Sequence, residues 1–211
     1  MKNLKMVTAL AMMTIMLLAP AGFAATSVAT SDAKATDGSS AAAASDAQAV
    51  GDGAVAIADS NANANHDSVA VADSDAKATS VSEDSGASVL AVARSDANAN
   101  VDSVASATSD VSATGIATHD SNVNIAAGAG SVANAGYGSS STAKSDVNVW
   151  GAATDHSDVN VEVVALSDAE ALIGSDADAT SILHVDAAAD HHSDTTVLAL
   201  SNSDATAVGF S

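Results

Sequence analysis

All six histidines of the chain stand within two residues of an aspartate: His66 beside Asp67, His119 beside Asp120, His156 beside Asp155, His184 near Asp186, and His191 and His192 after Asp190. An imidazole next to a carboxylate can hold a divalent transition metal. With 26 acidic residues among 211, however, such neighbours arise by chance, and solvated turn residues account for them. The acid pairs Asp73 with Asp75 and Asp176 with Asp178 offer the oxygen ligands that calcium prefers. Neither an EF-hand loop nor a glycine-rich calcium nonapeptide surrounds them, so weak calcium binding is the most they imply. Serine, histidine and aspartate are also the residue types of a catalytic triad, but in a chain with 31 serines their presence carries no information. GxSxG, HExxH and phosphate-binding glycine loops are absent from the sequence. Cysteine is absent too, which excludes disulfides, thiol catalysis and cysteine metal sites. The expectation is a protein that is not an enzyme, with no catalytic, cofactor-binding or metal site.

What the spacing does show is a repeat. A serine adjoins an aspartate at Ser31, Ser45, Ser60, Ser74, Ser95 and Ser109, with early intervals of 14 or 15 residues, and less regularly at Ser121, Ser145, Ser157, Ser167, Ser175, Ser193 and Ser203. Ala54 to Ala64 reads AVAIADSNANA and Ser68 to Ala78 reads SVAVADSDAKA. Each unit holds two alternating tracts around a polar trio such as Asp73, Ser74, Asp75. Alternation is the strand period, and Asp, Ser and Asn bond the backbone locally in turns. Each unit therefore reads as strand, turn, short strand, turn. In the first tract Val55 and Ile57, or Val69 and Val71, share one face and alanines the other, which suits a strand covered on both sides. Later tracts carry stronger strand formers, Val147 and Val149, then Val159, Val161 and Val163. Proline does not occur after Pro20, so strand pairing is not blocked.

The organisation that follows is a leader at 1–24, repeats of about 14 residues at 25–125, a Gly/Ser-rich break at 126–144, and degenerate Val-richer repeats at 145–211. The leader has lysines at 2 and 5, an apolar run from Met6 to Leu18, then Pro20 and small residues up to Ala24. That is the layout of a secretory signal peptide, too short for a membrane anchor. It implies a secreted or cell-surface protein with no membrane-spanning helix. After it, Leu, Ile, Val and Phe number 34 of 187 residues, about 18%. Alanine, at 52 residues, supplies most of the favourable hydropathy. The net charge of −20 excludes nucleic acid as a partner, since phosphate binding needs a positive surface. Trp150 and Tyr137 are the only aromatics in the interior of the mature chain, and a lone Trp150 among valines reads as core.

Ordering one 14-residue unit costs on the order of 20 kcal/mol, and two or three buried valines return roughly 1.5 to 3 kcal/mol apiece. One unit cannot fold alone. Units must stack, so the fold class is all-β, a repetitive β-solenoid or a cross-β stack of short strands, unless the monomer is disordered. Val55, Ile57, Val69, Val71, Val147, Val149, Val159, Val161 and Val163 are the strand residues expected to carry assembly, and self-association is the expected partnership. Stacking in register would bring aspartates such as Asp73 close to like charges on neighbouring units.

Two resemblances bear on function. SVAVADSDAKA at Ser68 to Ala78 resembles the head repeats of trimeric autotransporter adhesins, units of similar length that form a left-handed parallel β-roll. The likeness covers residues 50 to 110 and departs at Ala72, where the family has glycine, in one extra residue before Ala76, and at Thr79 and Ser80, where glycine is usual. It implies an adhesive surface module. SNVNIAAG at Ser121 to Gly128, SDVNVWGAA from Ser145 and SDVNVEVVA from Ser157 are similar to the repeats of Fap-type functional amyloid subunits. That implies an exported subunit of a biofilm fibre, although Gln48 is the only glutamine and the family's long spacers are missing. The primary expectation is an exported structural protein of an extracellular fibre or biofilm matrix; the alternatives are an adhesive β-solenoid and an acidic disordered cation-binding surface protein.

Overall fold

Inward positions along the chain carry alanine, serine and, later, valine at every second residue, a pattern that can form strands only if many of them close on a common core. The computed structural model describes residues 26–38, 40–51, 53–83, 87–118, 122–154, 158–172, 176–190 and 194–207. They form eleven strands: β1 (Thr26–Thr36), β2 (Ser40–Val50), β3 (Ala54–Asn65), β4 (Val69–Glu83), β5 (Ala87–Asn100), β6 (Val104–Thr118), β7 (Val123–Ala135), β8 (Ser140–Thr154), β9 (Val159–Ala171), β10 (Asp176–Ala189) and β11 (Thr195–Ala207). Odd strands make a six-stranded sheet in the order β1-β3-β5-β7-β9-β11, and even strands a five-stranded sheet in the order β10-β8-β6-β4-β2. Every pairing is parallel. The chain is an all-β solenoid of two facing parallel sheets, each coil contributing one strand to each.

A coil is two of the 14-residue units, not one. Thr26 lies opposite Val55 and Val123 opposite Val159, steps of 29 and 36 residues. The Asp-Ser-Asp trios are not turns: Asp73, Ser74 and Asp75 sit in the middle of the 15-residue β4. Aspartate costs little there because it points outward, and the serine pays for its place inside by bonding across the core. Likewise residues 126–144, expected as a break, belong to β7, β8 and the short turn between them. Gly128 and Gly130 keep strand geometry because ladder pairing to β5 and β9 on both sides overrides weak local propensity.

The core has three columns. Down its middle runs a serine spine, Ser31, Ser60, Ser95, Ser131 and Ser167 in one sheet facing Ser45, Ser74, Ser109 and Ser145 in the other, all buried. The hydroxyls zigzag between the sheets: Ser60 donates to the Asp73 carbonyl (2.5 Å), Ser74 to Arg94 (2.6 Å), Ser95 to Thr108, Ser109 to Gly130 (2.8 Å), Ser131 to Lys144 (2.5 Å), Ser145 to Leu166 (2.5 Å), Ser167 to Thr180 (2.6 Å) and Ser181 to Asn202 (2.6 Å). Such bonds require the sheets to approach closely, which alanine permits on both sides. From Ser60 to Ser167 each satisfies a buried hydroxyl and contributes on the order of 0.5 to 1.5 kcal/mol, whereas the Ser181 bond at the end of the stack is exposed.

To one side of the spine the buried strand positions are alanine, among them Ala62, Ala64, Ala70, Ala72, Ala97 and Ala107, with Ser141 on β8 the exception among the described residues. To the other side lie Val89, Val111, Val123, Ile125, Val147, Val149, Val159, Val161 and Val163. The alanine edge closes in tight turns. His66 and Asp67, and then Val101 and Asp102, take left-handed backbone with φ of 53°, 50°, 49° and 51°. Ser68 and Ser103 follow, each hydroxyl donating to the two carbonyls behind it at 2.9 Å. The Ser68 N–H donates to the Ser103 hydroxyl and the Ser103 N–H to that of Ser139, so the turns form a ladder of their own.

Candidate binding surfaces

With the interior filled by small side chains, any binding chemistry sits on the outward positions of the two sheets. On the six-stranded sheet, Asn63, Asn98 and Asn134 stack in register, the Asn98 amide donating to Asn63 (3.2 Å) and that of Asn134 to Asn98 (2.9 Å). Beside this ladder the outer positions of β7 are Ala126, Gly128 and Gly130, flanked by Leu90, Val92 and Arg94 on β5 and by Glu162, Val164 and Leu166 on β9. The low floor leaves two shallow cavities of about 440 and 370 Å³, the first lined by Leu90, Ala126 and Leu198, the second by Arg94, Gly130 and Leu166. Arg94 pairs with Asp96 at 3.0 Å.

The five-stranded sheet carries an aspartate ladder. Asp46, Asp75, Asp110 and Asp146 are consecutive register partners, one per coil. Burial raises the Asp75 carboxyl above its ordinary value, and Asp46, Asp110 and Asp73 push it further while Lys77 opposes them. Burial also raises Asp110, with Lys144 pulling the other way and Asp146 and Asp73 adding to the rise. Asp73 is raised by burial. The like-charge crowding expected from stacked repeats is therefore present, in mid-strand and not at turns.

Farther along the same face, Trp150 points outward from β8 and is 45% exposed. The expectation of a core tryptophan is corrected: the interior beside the spine admits nothing larger than valine or isoleucine. Its register partners are Thr114 on β6 and Asp186 on β10. Ser112, Asn148 and His184 form the next row, and the His184 Nε2 meets Asp186 Oδ2 at 3.0 Å. These side chains line a shallow cavity of about 110 Å³.

All nine residues expected to carry assembly lie in strands, on two different faces. Val147, Val149, Val159, Val161 and Val163 are buried in the core. Val55 and Ile57 point outward and are half-buried, and Val69 and Val71 are exposed, so in the early coils alanine fills the inside and valine the outside. Among the described residues no group of three or more His, Asp or Glu side chains could hold a metal ion. His66 occupies a turn and His184 the exposed pair, whereas His119, His156, His191 and His192 lie outside the described residues, as does the leader. No helix among the described residues is long and apolar enough to cross a membrane. Sequence reading missed Ser131 and Ser181, spine serines followed by Val132 and Ile182. A search for serine alone at intervals of 14 finds them, since the hydroxyls of Ser145 and Ser131, and of Ser181 and Ser167, meet at that spacing.

The fold and its outward faces define a parallel two-sheet β-solenoid with polar ladders on both sides. Compared with known protein families, curated proteins and solved structures, the chain matches none of them.

Proposed function

We propose that this chain is an exported, rigid surface module, a solenoid rod whose two broad faces make adhesive contacts outside the cell. The observation that carries the reading is the closure of parallel ladders within a single chain, in register from β1 to β11. One molecule thus supplies the stacking that an isolated repeat lacks, and no polymerisation is needed to fold it. The apolar leader of residues 1–24 supports export, and the resemblance of residues 50 to 110 to adhesin head repeats supports the surface role. The test is twofold. Purified mature chain should show a β circular-dichroism signal at once, independent of concentration, and should bind intact cells or their extracellular polymers in sedimentation assays. A coil signal that converts to β only after a concentration-dependent lag would refute the folded module, and failure to bind either target would refute its adhesive role.

A second reading, a fibre subunit, rests on β11, where Val197, Leu198 and Leu200 are 46%, 64% and 56% exposed. Val197 faces inward, in register with the buried Val161, so another coil stacked there would cover it. Growth of long rods from folded monomer, seen by electron microscopy, would favour this reading.

A further inference from the structure

We propose that Trp150 and the polar side chains around it form a binding site for a neutral carbohydrate chain. The inference deepens the surface-module reading and rests on it for the setting in which such a ligand is met. Trp150 is the single tryptophan of the sequence, and the solenoid spends it outside, where it adds nothing to the core. Its surroundings differ on its two sides. Along β8 toward the spine lies Asn148, with Ser112 and His184 as register partners; away from it lies Ala152, with Ile116 and Ala188. An exposed indole thus stands between a polar row and a low apolar row, flanked by Thr114 and Asp186.

Strand spacing of about 4.8 Å and a same-face repeat of about 6.8 Å make this a flat grid whose cells are close to the size of a pyranose ring. A pyranose offers an apolar C–H face, which the electron-rich face of an indole attracts. It also offers hydroxyls around its rim, each both donor and acceptor. The rim groups here match that pattern: an amide at Asn148, a hydroxyl at Thr114, an imidazole at His184 and a carboxylate at Asp186. The contact between His184 and Asp186 at 3.0 Å holds two of them in place, although their side chains are 66% and 64% exposed. Charge narrows the ligand. With Asp146 and Asp186 nearby and a net charge of −20, anionic sugars and phosphate-bearing ligands are repelled, which leaves neutral glycans. The cavity of about 110 Å³ is shallow and open, suited to a ring lying on the surface of a long chain and not to an enclosed small molecule.

Because Trp150 is the only tryptophan, emission excited in the indole band, where Tyr137 does not absorb, reports on this site alone. Titration with neutral gluco-, manno- and galacto-hexaoses should give a saturable emission change for at least one of them, with Kd on the order of 1 mM. D186A and N148A, both outward substitutions, should weaken that binding at least about tenfold while leaving the circular-dichroism spectrum unchanged. No saturable change with any hexaose at concentrations on the order of 10 mM would overturn the site. So would a change that persists unaltered in both variants. The two proposals fail separately: if wild type and W150A adhere equally to cells or matrix, the site is wrong and the surface module stands, whereas if neither adheres, the surface module falls.

Discussion

Gly115 and Gly151 are register partners on the inner face of the five-stranded sheet, and Gly128 and Gly130 lie on the outer face of β7. The same substitution, glycine to alanine, should therefore act with opposite sign at the two pairs. A Cβ on Gly115 would stand 2.5 Å from Val123 Cγ1 and 3.1 Å from Ile125, and one on Gly151 would stand 2.7 Å from Val159 Cγ1. Val123 and Val159 are fully buried, and β-branched side chains are stiff at χ1, so the backbone must move. Overpacking of this kind costs about 1 to 3 kcal/mol, against a gain of about 0.5 to 1 kcal/mol for replacing glycine within a strand. Net destabilisation of about 0.5 to 2 kcal/mol follows for G115A and for G151A. At Gly128 a Cβ meets only the Val164 carbonyl at 3.9 Å, and at Gly130 nothing within 4 Å, so G128A and G130A should each gain about 0.5 to 1 kcal/mol. With a urea slope of about 1 to 3 kcal/mol per M, the two classes should separate by roughly 1 M in unfolding midpoint. A double-mutant cycle of G115A with V123A should show a favourable coupling of about 1 kcal/mol, because removing Cγ1 removes the clash. Equal midpoints for G115A and G130A would refute the packing assigned to the valine column.

The aspartate ladder sets a pH dependence. Asp75 and Asp110 have folded-state values above the ordinary 3.8, so their neutral forms favour the fold, and the stability they contribute is present below about 3.9 and lost as pH rises through the folded values. D75N should therefore raise the thermal midpoint at pH 7 and make no difference near pH 3; an equal effect at both would show that charge is not the cause. In the spine, S95A should cost about 0.5 to 1.5 kcal/mol by chemical unfolding, since Ser95 is fully buried and donates to the Thr108 carbonyl. S88A, on the outer face of β5, should cost nothing measurable. V101N should stabilise by about 1 kcal/mol, because Val101 holds φ of 49° where asparagine is tolerated and a β-branched residue is strained; an unchanged midpoint would remove strain from the account of that turn.

The strand character of the chain was legible because alternation survives in every unit, and stacking because one unit cannot offset its own ordering cost. The coil was harder to read. Pairing serine with aspartate as the mark of a unit mixed two populations: the inward spine, which needs only the hydroxyl, and outward aspartates, which solvent tolerates beside it. Ser131 and Ser181 were lost in this way, while Ser121, Ser157, Ser175 and Ser193, which carry the same mark, lie outside the described residues. Turn chemistry misled for the same reason. Asp73, Ser74 and Asp75 have the side chains of a turn, but Ser74 bonds a carbonyl of the facing sheet and not its own backbone. Nor could residue size say which face was inside. Val69 and Val71 would fill a core better than Ala70 and Ala72, yet alanine is inside on this side of the spine, where the Ser74 hydroxyl bonds across to the facing sheet.

Packing also explains where specificity can reside. An interior confined to small and β-branched side chains, alanine in the early coils and valine or isoleucine on one side of the spine in the later ones, can fix geometry but is closed to a partner. Outward positions are released from packing, and there the coils diverge: aspartate at 75 and 110 gives way to Ile182, and Thr114 to Trp150 and then Asp186. The tryptophan cluster is spread over 36-residue steps, from Thr114 to Trp150 to Asp186, and is invisible to any local motif. A solenoid register turns that long spacing into adjacency of about 4.8 Å, so a binding grid can be altered residue by residue while the core beneath it stays the same.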